Sequence, residues 1–415
     1  MRLFCTVFVL FLYLISLRAQ VIEKPLGCYA GTNGLHPNVL SHPAARGVLL
    51  IEKWSDIESS PGVIDFTLLN SKIDMVKNAG QKYALAIAAG AFGSPDWLTE
   101  TLGAGHFDFT YQGQNWKLPL WWDDTVEERL NALIIRLGEA YATDTSLSHV
   151  YVSQMTVNGI EGHLNGVDMD LFALSGFTDE QWITSAKATA IKFGEAFPNK
   201  PIVFEVHEID RDTIVPVTII NDLSNEQELC ERIGLGMWWI SGKTSYQANL
   251  IDYISNFQGD KYAQVIGRSD QVERFQDSLY SSVFAQAKAL GIRYLEPWPY
   301  EFQYHTNDSL LQDFNAWADS HYSSLDTCAI VSSIASPPMD KNSVVAYPNP
   351  TKGPLFLKTT AFVETEISVY SATGQMIVPS TNQKELNMSH LPQGVYFVAI
   401  KTAESTVVKK ILKID

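Results

Sequence analysis

The chain has 415 residues, a formal net charge of −16, 46% hydrophobic residues and 18% charged residues. That length exceeds one average domain and predicts one large domain plus a smaller one, with enough apolar content to bury a core. The acidity argues against nucleic acid and anionic membrane surfaces, which attract Lys and Arg. It is silent on neutral ligands.

Residues 1–20 read MRLFCTVFVLFLYLISLRAQ. Arg2 supplies a positive start, Leu3 to Leu17 form an apolar run, and Ala19-Gln20 offer a cleavage point. This is the pattern of a secretory signal peptide. A membrane anchor is the competing reading, but a span needs ~20 apolar residues. No second stretch is long enough to span, so no transmembrane segment is expected in the mature chain. Cys5 leaves with the signal. Cys28, Cys230 and Cys328 remain, so at most one internal disulfide can form. There is no zinc-ribbon spacing and no HExxH, so no metal or other cofactor is expected.

Residues 21–327 alternate short apolar runs with amphipathic stretches, the pattern of repeated β-then-α units. Strands are predicted at Gly47–Trp54, Tyr83–Ala89, Val150–Val157, Pro201–Val206, Ile233–Trp239, Tyr262–Gly267 and Ile292–Glu296. Helices are predicted at Leu68–Ala79, Thr125–Tyr141, Ser185–Phe197, Tyr246–Phe257, Gln276–Leu290 and Leu310–His321. Several strands are continuous apolar runs, as in parallel sheets covered on both faces. The size fits a (β/α)8 TIM barrel; a doubly wound open sheet is the alternative. Residues 328–343 (CAIVSSIASPPMDKNS) read as a linker. Residues 344–415 hold short alternating segments, the signature of a small all-β, immunoglobulin-like sandwich of roughly seven strands.

In that last segment, Tyr347-Pro348-Asn349-Pro350, Gly353, Leu355-Phe356-Leu357, Ile367-Ser368-Val369-Tyr370, Gly374-Gln375, Leu391-Pro392-Gln393-Gly394-Val395-Tyr396-Phe397-Val398 and Lys409-Lys410-Ile411-Leu412-Lys413 stand in order. Together they resemble the type IX secretion sorting domain. Pro348 and Pro350 pre-set the backbone around Asn349, and Gly374 and Gly394 fall where turns are expected. The resemblance implies type IX secretion machinery as a partner and passage through the periplasm and outer membrane of a Bacteroidetes-type bacterium. The destination would be the medium or the cell surface.

In the middle domain, Trp54-Ser55-Asp56-Ile57-Glu58-Ser59-Ser60-Pro61-Gly62 with Asp65-Phe66, then Ser94-Pro95-Asp96-Trp97-Leu98, then Leu118-Pro119-Leu120-Trp121-Trp122-Asp123 recur in order. They resemble β-galactosidase-like glycoside hydrolases with a (β/α)8 fold. Such hydrolysis needs two carboxyl groups, one protonated and one ionised. Functional side chains of a barrel lie at the C-terminal ends of its strands. The catalytic candidates are therefore Glu161, after the Val150–Val157 strand, and Glu296, ending the last strand. The family's acid/base glutamate directly follows an Asn; here Gly159 and Ile160 separate Asn158 from Glu161. The family's nucleophile follows the seventh strand, whereas Glu296 falls on the last. Glu205, inside an apolar strand, is a third candidate, either a lumen acid or an ion pair.

Candidate sugar-binding residues are Trp54, Trp97, Trp122, Trp239 and Trp298, whose flat faces suit sugar rings, with Asn158, His163 and His207. Each has a structural alternative. Glu161 could be a solvated loop carboxylate, Glu296 a carboxylate paired with Arg268 or Arg293, the tryptophans mouth packing, and the histidines satisfied loop residues. Two functional readings follow: a secreted glycoside hydrolase cleaving a poly- or oligosaccharide, or a non-catalytic glycan-binding protein on a degenerate barrel. A peptidase is disfavoured, since there is no G-x-S-x-G and no metal-binding histidine pair.

Overall fold

The computed structural model describes residues 18–226, 229, 231–330, 344–347, 349, 351–359, 366–371, 375–381, 385–401 and 406–414. Residues 1–17 of the segment 1–20 read as a signal peptide, Cys230, and residues 331–343 of the segment read as a linker lie outside the described residues. The chain divides into two compact units, one of residues 19–330 and one containing the C-terminal residues 331–415.

The first unit is a barrel of eight parallel strands. In chain order they are β1 (Gly27–Cys28), β2 (Gly47–Lys53), β3 (Lys82–Ala88), β4 (Leu147–Tyr151), β5 (Ile202–Glu205), β6 (Ile233–Ile240), β7 (Asp260–Val265) and β8 (Tyr294–Glu296). Each pairs with the next, and β8 returns to β1. The parallel bridge Ala30–Val48 joins the first strand to the second and closes the ring. The open-sheet alternative is thereby excluded.

Helices follow the strands: α1 (Pro37–Leu40), α2 (Thr67–Asn78), α3 (Asp124–Tyr141), α4 (Asp179–Ala196), α5 (Ile214–Ser224), α6 (Ala248–Asn256), α7 (Ser281–Leu290) and α8 (Asp308–His321). The start of α3 shows why. Asp123 caps it, its Oδ1 accepting from the N–H groups of Thr125 (2.9 Å) and Val126 (3.2 Å), which satisfies donors that have no partner inside the helix. Val126, Leu130, Leu133, Ile134 and Leu137 then form the buried stripe.

Strand alternation sorts side chains into two layers. Val48, Leu50, Leu85, Ile87, Phe204, Met237, Val265 and Leu295 face the helices. Leu49, Ala84, Ala86, Tyr151, Val203, Trp238, Tyr262 and Tyr294 fill the lumen. Large rings need small neighbours: a Cβ on Gly234 would lie 2.3 Å from the Tyr262 ring.

The short strand β1 and helix α5 were not foreseen, nor was the hairpin of His106–Tyr111 with Gln114–Pro119. The predicted Val150–Val157 strand ends earlier, at Tyr151, because the chain turns back on itself: the Gln154 N–H donates to the Gly159 carbonyl (2.9 Å). Cys328–Ile330, read as linker, instead complete the strand Leu325–Ile330, whose backbone pairs with Arg18–Glu23.

The second unit has seven strands among the described residues: β9 (Val344–Tyr347), β10 (Pro354–Thr359), β11 (Glu366–Ser371), β12 (Met376–Thr381), β13 (Glu385–Asn387), β14 (Gly394–Lys401) and β15 (Thr406–Lys413). They form antiparallel sheets β9-β10-β13 and β12-β11-β14-β15. Leu355, Leu357 and Leu386 of one sheet pack with Val369, Val398 and Ile411 of the other, a sandwich core. Asn349 explains part of its motif: its amide donates to the Lys410 carbonyl (2.9 Å) and accepts from the Leu412 N–H (2.8 Å). Gly394 opens β14 rather than a turn; Pro348, Pro350 and Gly374 lie outside the described residues.

The α3 stripe makes a direct prediction. Leu133→Ala, at a fully buried position, should cost about 2–5 kcal/mol, whereas Ile135→Ala, 46% exposed on the same helix, should cost under about 0.5 kcal/mol. Urea unfolding of both variants checks this.

Candidate active site

Glu161 sits in the turn that carries the chain away from β4 across the C-terminal mouth. Three sets of bonds hold this turn. Asn158 Oδ1 accepts from the N–H groups of Ile160 (3.1 Å) and Glu161 (2.8 Å). Gln154 donates through Nε2 to the carbonyls of Ile160 and Glu205, both at 2.8 Å. The turn also locks onto the end of β3, where the N–H groups of Ala91 and Phe92 donate to the carbonyls of Thr156 and Val157, each at 3.0 Å. That approach requires glycine. A Cβ on Gly159 (φ +84°) would lie 2.2 Å from the Ala89 carbonyl oxygen.

Ile160 packs downward into the lumen cluster. Glu161 keeps 23% of its side chain exposed, with Oε2 3.8 Å from His163 Nε2. Burial, and then the charge of Glu205, push its carboxyl up to about 7, against the opposing pull of His207 and Asn158.

Glu205 ends β5 and is fully buried. Its Oε2 accepts from the Gly162 N–H (2.6 Å) and its Oε1 from the Trp238 N–H (3.0 Å). His207 Nδ1 lies 3.0 and 3.1 Å from the two oxygens. Burial opposes a charge on His207, but Glu205 and then Glu161 hold its ring above the ordinary value. His163, whose ring centroid is 5.6 Å from that of His207, is pushed down to about 3 by burial and by His207.

Beside this cluster is a pocket of about 500 Å³, lined among others by His207, Glu208, Asp210, Arg211, Tyr246 and Gln247. Tyr246 adjoins Trp239, and its phenol is raised by burial and by the charges of Glu161, Glu205 and Glu208.

Glu296 is placed differently. It is fully buried in the lumen. Its Oε1 accepts from the hydroxyls of Tyr294 (2.6 Å) and Tyr151 (3.0 Å), and its Oε2 accepts from Gln264 (2.9 Å). Among the described residues no arginine pairs with it: Arg293 pairs with Asp260 and Arg268 with Asp270. Burial pushes its carboxyl up to about 7 in spite of these donors. Among the described residues, Glu161 and Glu296 share no bonding partner. The structure brings Glu161 together with Glu205, His163 and His207, and leaves Glu296 with the lumen tyrosines.

Most of the tryptophans serve the scaffold through their indole N–H. Trp54 Nε1 donates to Glu58 Oε2 (2.7 Å), Trp97 to the Glu58 carbonyl (2.8 Å), Trp239 to the Val206 carbonyl (3.1 Å) and Trp298 to the Val265 carbonyl (2.7 Å). Trp122 packs against Phe172 and Phe177. Glu58, fully buried, also accepts from the Gly62 N–H and pairs with Arg129. The Trp54–Gly62 motif is therefore a structural lock. Sequence reasoning missed Glu208 and ranked Glu205 low; the alternation that puts Phe204 outside puts Glu205 inside.

His42, His305 and Asp308 also converge. His42 Nδ1 accepts the Ala44 N–H (3.1 Å), which leaves the ring proton on Nε2, facing Asp308 Oδ1 at 3.0 Å. That is a hydrogen-bonded His–Asp pair, and a metal ligand would need Nε2 bare.

Residues 345–414 match the family model "Secretion system C-terminal sorting domain". No curated protein matches the chain. Among solved structures it is similar to the catalytic domain of β-amylase from Paenibacillus polymyxa (10% identity, 73% of this chain and 100% of that one, TM-score 0.46). It is also similar to a cold-adapted β-galactosidase from Rahnella sp. R3 (12%, 72% of this chain and 58% of that one, TM-score 0.46). A third is a GH5_18 protein from Streptomyces cattleya in complex with Manβ1-4GlcNAc (12%, 66% and 71%, TM-score 0.44).

Two predictions follow from this geometry. Glu296 binds its proton more tightly folded than unfolded, so its contribution to stability is full below about pH 4.5 and is lost as pH rises through about 7. The loss is on the order of 3 kcal/mol. Glu296→Gln should flatten the fall in melting temperature between pH 5 and 8. Gly159→Ala should destabilise more than Gly62→Ala, since both have positive φ but only Gly159 faces a close backbone neighbour. The difference should exceed about 1 kcal/mol in denaturant unfolding.

Proposed function

We propose that this is an exported glycoside hydrolase-like protein acting on a poly- or oligosaccharide at the barrel mouth, with Glu161 as proton donor. The observation that carries this reading is a partly exposed carboxyl with a pKa of about 7, beside an open pocket. A general acid works best when its pKa lies near the working pH. Below about 7 Glu161 holds the proton that a departing glycosidic oxygen needs.

The second carboxylate must reach the other side of the scissile bond. Glu208 lines the pocket, whereas Glu296 lies sealed in the lumen. In this reading Glu208 takes the role that strand-end position suggested for Glu296. His207 and Tyr246 line the sugar site, with Trp239 packed behind both of them. The C-terminal sandwich supports export by type IX machinery, across the periplasm and outer membrane of a Bacteroidetes-type cell. The destination is the surface or the medium.

A second reading, glycan binding without cleavage, is favoured by the burial of Glu296 and by indole N–H groups already engaged within the protein. A polysaccharide panel separates the two readings, with release of reducing ends scored against retention in affinity gels. Hydrolysis is expected, falling as pH rises through about 7. Glu161→Gln should lower kcat by roughly 10²–10⁴-fold, with a similar loss in Glu208→Gln and a much smaller one in Glu296→Gln. Unchanged turnover in Glu161→Gln would remove the acid assignment. Binding with no reducing ends released would establish the second reading.

A further inference from the structure

We infer that Glu205 and His207 form a positioning pair for Glu161. The inference rests on reading Glu161 as the proton donor and assigns to its neighbours the task of placing it and holding its proton. Glu205 is a buried carboxylate at a strand end, where the rigid barrel fixes its position. One oxygen grips the Gly162 N–H, immediately after Glu161, and the other grips the Trp238 N–H on the next strand. Glu161 therefore hangs between two anchors, its own N–H on Asn158 and the following N–H on Glu205.

The same carboxylate sets the charge around Glu161. A buried negative group favours the neutral form of a neighbouring acid. His207 works in the opposite sense, and its hydrogen bond to Glu205 favours the charged ring that exerts this pull. The charged and titratable groups around Glu161 are His163 on its own turn, Glu205, His207 and Glu208 at the end of β5, and Tyr246 ahead of α6. His163 is neutral through the working range. Burial raises the Glu161 carboxyl most, and of the charged neighbours Glu205 adds to that rise while His207 opposes it.

This gives a test that needs no substrate. The full chain is prepared with isotope-labelled glutamate carboxyls and titrated by NMR, with the Glu161 signal assigned by its loss in Glu161→Gln. The wild-type midpoint is expected at about 7. Glu205→Gln should lower it by about one pH unit or more, and His207→Gln should raise it. General loosening of the mouth would move both variants the same way, toward the ordinary carboxylate value. Shifts of opposite sign therefore support the pair, and same-sign shifts or an unmoved midpoint overturn it. If Glu205→Gln does not fold, His207→Gln decides: a rise supports the pair, and no change or a fall overturns it. Opposite shifts in a protein that cleaves no glycoside would sink the hydrolase reading and leave the positioning pair standing.

Discussion

The stretch from Gln154 to His163 crosses the end of the barrel without a strand or helix of its own, so its buried N–H and C=O groups need partners from elsewhere. They find them in the backbone at the end of β3, in Asn158 and Gln154 within the stretch, and in the Glu205 carboxylate below. That requirement sets the rest of the mouth. It forces glycine at 159 and sends Ile160 into the lumen, while Glu161, next in the chain, keeps part of its side chain exposed. The pocket residues His207 and Glu208 then follow directly from the strand that supplies Glu205.

Beneath the mouth, the lumen is a packed interior with polar tips. Tyr151, Tyr262, Tyr294 and His149 lie ring against ring, and burial pushes His149 down to about 3. Glu296 belongs to this interior. Its hydrogen bonds come from β4, β7 and β8, so it ties together strands from opposite sides of the ring. A strand-end glutamate can thus serve as a cross-brace, and strand-end position alone does not separate a brace from a catalyst.

The fold was legible in the sequence where periodicity was strong. Apolar runs such as Ile233–Ile240 and the stripe of Asp124–Tyr141 identified the parallel strands and the covering helix. Gly27–Cys28 was too short to register, and the apolar Ile214–Ser224 has too weak a polar face to read as amphipathic. At the site, Glu161 was legible as a polar residue past a strand, but its neighbours were not. Glu205 reads as an apolar-strand acid until alternation is applied, and its bonds to Gly162 and Trp238 join residues far apart in the chain. The internal bonds of the Trp54, Trp97, Trp239 and Trp298 N–H groups were not legible, because an indole that meets a protein acceptor looks the same in sequence as one that meets a sugar.

Cys28 lies in the first barrel strand, wholly buried, its thiol raised well above the ordinary range by burial and directed at the Leu311 carbonyl of α8 (3.7 Å). Thiolate, the reactive form, is therefore almost absent in the folded molecule, and no reagent reaches the sulfur. In an unfolded chain the same sulfur is an ordinary cysteine. Any disulfide or alkyl adduct at Cys28 would consequently mark a molecule caught before the barrel closed, which makes this side chain a chemical clock for folding.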